Sequence, residues 1–316
     1  MSTVVETFLN IDPIDLEYVN LKKDSLKGEV AVVTGSTSNV GLGFARGIAW
    51  AGGKVVVTGT NEVAGAEIER VINAENEPGT AIFVKCDVTE ASEVRNLAQR
   101  AFDAFGKVDI LINNAMNLDL NGPVLGTPVS DLERSFAISG RGVMLTVQEF
   151  VPGMLERKHG VVTYSTTQFH YHPPMIGGAM YCAGKATATS LTMSLANEVG
   201  PYKENGISVF CMIPAGIAPP DRVVVSADGK SPPKVLGAGF PGFNGNVPPE
   251  AGGAAMVYCI LNAEKLHGSG ISISDAFDAM GFPYPNPGTL RPNNMHRLTD
   301  NELTLVFRSM GPGFTG

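Results

Sequence analysis

The chain has 316 residues, enough for one large α/β domain with additions or for two small ones. A net charge of −8 argues against a nucleic-acid or anionic-membrane surface, while 44% apolar residues supply a sizeable core. No apolar run approaches the ~20 residues of a transmembrane helix, and the acidic N-terminus lacks the basic region of a signal peptide.

Residues 1–27 are polar and mixed and read as an N-terminal extension. Residues 30–34 form a short apolar run without alternation, which predicts a strand buried on both faces of a parallel sheet. A glycine-bearing turn and a helix to about residue 51 follow. Residues 54–58 predict the second strand and 62–73 the second helix. The third strand is expected at 81–85, with a helix over about 90–105, and the fourth strand at 109–113. Ser130 and Glu133 have the spacing of a capping box, which predicts one long helix to about residue 157. Residues 161–165 give a fifth strand, 178–199 a helix, and 207–212 a sixth strand. Strands alternating with helices in this way predict a single Rossmann-like, doubly wound parallel sheet flanked by helices, over residues 28–275. Within it, residues 219–248 are rich in Pro, Gly and small polar residues and read as a substrate lid. A helix over 249–262 and a strand over 270–274 close the domain, and 276–316 form a C-terminal extension.

Cys86, Cys182, Cys211 and Cys259 have no paired spacing and read as reduced core thiols of a cytoplasmic protein. Five scattered histidines make no metal site, which would need three or four ligands.

Two motifs carry chemistry. The stretch 34–43, Thr-Gly-Ser-Thr-Ser-Asn-Val-Gly-Leu-Gly, lies between the first strand and first helix, where a dinucleotide pyrophosphate would rest on a helix N-terminus. Its glycines allow close backbone approach, and Ser36, Thr37 and Ser38 add hydroxyl donors. Farther on, Tyr181 and Lys185 are four residues apart on a predicted helix, about 40° apart around its axis and ~6 Å along it. A phenol with a free pKa of ~10 is a poor acid or base at neutral pH, and a nearby ammonium favours its ionised form.

The loop resembles the Thr-Gly-x-x-x-Gly-x-Gly of the short-chain dehydrogenase/reductase family, and the resemblance then runs from about residue 26 to 275. Asp87-Val88 is similar to the family's adenine-contacting pair, Asn113-Asn114-Ala115 to its Asn-Asn-Ala-Gly, and Tyr181-x-x-x-Lys185 to its catalytic signature. The resemblance implies an NAD(P)-dependent oxidoreductase acting on a ketone or secondary alcohol, with Tyr181 as general acid/base. Lys185 would hold the nicotinamide ribose and lower the Tyr181 pKa. It also implies a cofactor lined by Gly35, Ser36, Ser38, Asn39, Val40, Gly41, Asn114, Ala115, Pro214 and Ile217, and a homotetramer or dimer built on helices 130–157 and 178–199.

Several positions depart from the family. Asn39 stands in place of the second loop glycine, and Met116 in place of the glycine after Asn-Asn-Ala. Ser139 occupies the place of the relay asparagine. Thr167, or Gln168 by strict counting back from Tyr181, occupies that of the substrate-polarising serine. The second strand ends in Gly59-Thr60-Asn61 without the acid that would hold ribose hydroxyls, which tilts cofactor choice toward NADP over NAD, with Thr60, Asn61 and Ser38 as phosphate donors. These departures motivate the alternative of a dinucleotide-binding protein without catalysis, a redox sensor or structural subunit.

Overall fold

Apolar runs without polar alternation must be covered on both faces, and the fold covers them. The computed structural model describes residues 21–117, 124–167, 178–214 and 249–280, with the pairs 223–224 and 234–235. Its strands are β1 (Val30–Val33), β2 (Lys54–Gly59), β3 (Ala81–Lys85), β4 (Ile110–Asn113), β5 (Gly160–Ser165) and β6 (Ile207–Ile213). The short antiparallel pair β7 (Val223–Val224) and β8 (Lys234–Val235) follows, and then β9 (Gly270–Ser272). Seven of these form one sheet in the order β3-β2-β1-β4-β5-β6-β9, and each neighbouring pair is parallel. This is the doubly wound α/β sheet expected from the alternation of elements.

The helices are α1 (Asn39–Trp50), α2 (Glu62–Glu75), α3 (Ala91–Phe105), α4 (Val129–Phe136), α5 (Gly142–Arg157), α6 (Ala179–Val199), α7 (Tyr202–Asn205), α8 (Pro249–Leu261), α9 (Ala263–Leu266) and α10 (Ile273–Met280). They divide the core in two. Ala31 and Val33 of β1 join Leu42, Ile48, Ile68, Ile72 and Met256 on one face. Val30 and Val32 join Leu97, Phe150, Met154 and Val199 on the other. Alternate residues of one strand thus feed opposite cores, the two-residue period of a pleated strand. Among the described residues no helix is long and apolar enough to cross a membrane.

Three expectations about elements are corrected. The helix over 130–157 is not continuous: a π-helical segment, Ala137–Arg141, separates α4 from α5. The Ser130–Glu133 box does not form either, because α4 begins at Val129 with Pro128 as its N-cap, which places Ser130 inside the first turn. Likewise the last strand stops at Ser272. The Ser272 hydroxyl accepts from Asp275 N (3.1 Å) and Asp275 Oδ2 accepts from Ser272 N (3.1 Å), a reciprocal cap that starts α10. Ala276 and Met280 of α10 are buried in the core, as are Leu21 and Leu26 ahead of β1.

At the lower end of the sheet, Asp109 accepts from Val30 N (3.1 Å) and pairs with Lys107 (2.8 Å) and Arg157 (3.4 Å). His159 and Glu29 pair beside it (2.9 Å). These contacts tie β1, β4 and α5 together at the end away from the glycine loop. All four cysteines are buried and none forms a disulfide.

Candidate active site

In an open parallel sheet the crevice for a ligand lies at the carboxyl ends of neighbouring strands whose connections leave in opposite directions. Here those strands are β1 and β4, and they are stapled together. Thr34 Oγ1 accepts from Asn114 N (2.9 Å) and Ala115 N (3.0 Å), while Asn114 Nδ2 donates to the carbonyls of Thr34 (3.0 Å) and Gly35 (3.1 Å). The loop leaves no room for a side chain at Gly41. A Cβ there would lie 2.6 Å from Asn114 Nδ2 and 2.8 Å from Ser36 Cα, and would meet the Gly35 carbonyl oxygen.

Asn39, in the place of the second loop glycine, takes left-handed backbone at φ +49°. Asn is among the few residues that tolerate it. Ser38 is the N-cap of α1, and its side chain makes no capping bond. The first-turn N–H groups of a twelve-residue helix therefore face the loop without a side-chain cap. Ser36 behaves otherwise than expected. Its hydroxyl donates to Val33 O (2.7 Å) and accepts from Thr58 N (2.9 Å), so it braces β1 against β2 and its side chain is not a ligand donor.

At the end of β2, Thr60 is exposed and Asn61 caps α2 through Oδ1, which accepts from Ala64 N (3.0 Å). Tertiary structure adds a cation that linear reading missed. Lys85 of β3 is in register with Gly59 and pairs with Glu62 at 3.0 Å. After β3, Asp87 accepts from Thr89 N (2.9 Å) and the Thr89 hydroxyl (2.7 Å), and pairs with Arg134 of α4 (3.2 Å). Desolvation works against its charge, but these donors outweigh it and hold the carboxyl below the usual aspartate range. Val88 packs against Gly142, where a Cβ would lie 2.9 Å from the valine side chain.

β5 and α6 carry the second cluster. Thr167, just past β5, is buried, and its hydroxyl works to lower the Tyr181 pKa. Lys185 is also buried; Nζ donates to Ser165 O and lies 5.7 Å from the Tyr181 ring centroid. Burial pushes the Tyr181 phenol up to about 12, against the opposing effect of the Thr167 hydroxyl, and pushes Lys185 down to about 7. The expected lowering of the Tyr181 pKa is therefore reversed in this structure. Removal from water acts on both groups and disfavours the charged form of each.

Ser139 lies in the π-helical segment, fully buried, and its hydroxyl donates to Met116 Sδ (3.4 Å). Gly184, between the two signature residues, lets this segment approach: a Cβ there would lie 2.9 Å from Ser139 Oγ and would meet Ser135 Oγ. Two departures from the family pattern, Met116 and Ser139, thus touch each other. Linear reading also missed Tyr164, a fully buried tyrosine of β5 whose ring faces Lys185; the only signal was an aromatic polar residue inside an apolar strand. Pro214 follows β6 directly. Gln168, the aromatic run 169–172, Ile217, most of 219–248 and residues 281–316 lie outside the described residues.

A family model described as short chain dehydrogenase matches residues 29–228. Among curated relatives, the (21S)-21-acetoxyl-apo-melianone synthase SDR of Melia azedarach is 30% identical over 194 residues, covering 61% of this chain and 68% of that protein. Secoisolariciresinol dehydrogenase of Forsythia intermedia is 29% identical over 195 residues, covering 61% and 67%. Among solved structures, L-sorbose reductase from Gluconobacter frateurii, complexed with NADPH and L-sorbose, superposes with a TM-score of 0.69. It shares 23% identity over 79% of this chain and 97% of its own, a likeness of fold.

Proposed function

Because the chain belongs to the short chain dehydrogenase family, we propose that it is an NAD(P)-dependent oxidoreductase of a ketone or secondary alcohol, with Tyr181 as general acid/base. The observation that carries this reading is the placement of Tyr181 and Lys185 one turn apart on α6, with Lys185 Nζ 5.7 Å from the Tyr181 ring centroid and buried Thr167 just past β5. The crevice suits a dinucleotide: the space at Gly41 is filled by backbone and by Asn114, and α1 presents its first turn without a side-chain cap. Ser38, Asn39, Val40 and the backbone of Gly35 and Ser36 would hold the pyrophosphate. Asp87 and Val88 would take the adenine, and Asn114, Ala115 and Pro214 the nicotinamide half.

When bound, the nicotinamide supplies or accepts the hydride. The rest falls to this chain. In the reducing direction Tyr181 gives its phenolic proton to the carbonyl oxygen as charge develops there, and Thr167 donates a hydrogen bond to the same oxygen. A phenol held at about 12 keeps its proton at neutral pH, the state that carbonyl reduction requires of a general acid. Lys185, with donors beyond the one given to Ser165 O, would orient the ribose. The L-sorbose reductase of like fold is complexed with NADPH. Thr60, Asn61 and Lys85, with no acid at positions 60 and 61, support NADP over NAD here. Exposed Phe136, Met144 and Leu155 on α4 and α5 support a homo-oligomer built through those helices.

The test is Tyr181→Phe. Turnover of a ketone panel with NADPH should vanish while NADPH binding, read by fluorescence, persists; undiminished turnover would remove the proposal. One observation favours a second reading, a dinucleotide holder without turnover: Ser139 is spent on Met116 and not turned to a relay. Tight NADPH binding with no turnover across ketones and alcohols would favour it.

A further inference from the structure

Lys185 is nearly inaccessible to solvent, and among the described residues no carboxylate pairs with it. Burial of an ammonium without a counter-charge drives it toward the neutral amine, and any group that stabilises the charged form opposes that drive. Two aromatic faces lie where they can do so. Nζ lies 4.8 Å from the ring centroid of Tyr164 on β5 and 5.7 Å from that of Tyr181 on its own helix, both inside the range of cation–π attraction. Among the described residues the Tyr164 hydroxyl has no hydrogen-bond partner, although Ser139 lies beside it.

We propose that Tyr164 is a positioning residue for Lys185, its ring face fixing the ammonium toward Ser165 and the cofactor crevice. This rests on the oxidoreductase reading for its purpose but not for its geometry. Among the described residues, the titratable groups in contact or electrostatic interaction with Lys185 are Tyr181 of α6, Tyr164 of β5 and Cys211 of β6. An aromatic face stabilises the charge without competing for the proton, and it leaves two of the three ammonium donors for a ligand. A carboxylate in the same place would do neither.

The experiment is an NMR titration of isotopically labelled lysine side chains in the full chain, with the Lys185 signal assigned by its loss in Lys185→Met. Tyr164→Phe keeps the ring, and the Lys185 midpoint should match wild type. Tyr164→Leu removes it, and the midpoint should fall by about one pH unit. NADPH affinity by fluorescence should stay level in Tyr164→Phe and weaken about tenfold in Tyr164→Leu. If Tyr164→Leu does not fold, Tyr164→Met replaces it, an unbranched side chain without a ring that adapts to irregular space. An unchanged midpoint and affinity in the ring-less variant overturns the proposal. If NADPH binds no variant, wild type included, the oxidoreductase reading fails, and the lysine titration still decides the role of Tyr164.

Discussion

Lys185 Nζ lies over the ring of Tyr181, 5.7 Å from its centroid, and donates its hydrogen bond to Ser165 O. Both side chains leave water on folding, and each is driven toward its neutral form: the phenol up to about 12, the ammonium down to about 7.

This arrangement makes stability depend on pH. Between about 7 and 10.5 the unfolded chain keeps the Lys185 proton and the folded chain does not, so unfolding takes up a proton and stability rises with pH. The raised Cys86, Cys211 and Cys259 thiols, at about 12, act oppositely above 9. Urea midpoints of wild type minus Lys185→Met should therefore climb from pH 7 to 9. A flat difference would show that Lys185 is not desolvated.

Asp87 gives the acid counterpart. Its folded pKa is depressed, so its contribution is present above the ordinary aspartate range and lost as pH falls through the folded value. Thr89→Val removes one donor and leaves the backbone bond. The acid unfolding transition should move to higher pH, measured by circular dichroism, and Asp87→Asn should remove the dependence on this group.

Gly41→Ala places a methyl against Asn114 Nδ2 and the Gly35 carbonyl oxygen. Both belong to the staple between β1 and β4, so neither yields freely. A loss of about 1–3 kcal/mol in denaturant unfolding is expected, with weakened NADPH binding. Unchanged values for both would mean that the loop relaxes without cost.

Asn39 separates backbone from side chain. Asn39→Gly keeps the left-handed conformation and should stay within about 1 kcal/mol of wild type. Asn39→Val forces a β-branched residue to φ +49° and should cost about 1–3 kcal/mol. Thermal melts of the two variants distinguish these outcomes.

Lys85 is the cation nearest the end of β2 by register, through its pairing with Gly59. Lys85→Met should weaken NADPH about fivefold relative to NADH. An unchanged ratio would leave Thr60 and Asn61 as the discriminating residues.

The local pattern determined much of this protein. Unalternating runs such as residues 30–33 predict strands covered on both faces, and all four of these residues are buried. Thr34 to Gly43 and Tyr181 to Lys185 were legible because their chemistry depends on short spacing, one turn of loop or one turn of helix. Tertiary structure decided the rest. Ser36 looks like a ligand donor until Thr58, twenty-two residues away, takes its hydroxyl. The π-helical segment that buries Ser139 against Met116 leaves no trace in a helical period. Tyr164 and Lys185 meet only because β5 and α6 pack together, and Lys85 reaches Gly59 only through strand register. The Tyr181–Lys185 pair itself was visible in sequence, but the sign of its pKa shifts was not. Spacing brings the two charges near each other, whereas desolvation is set by everything packed around them.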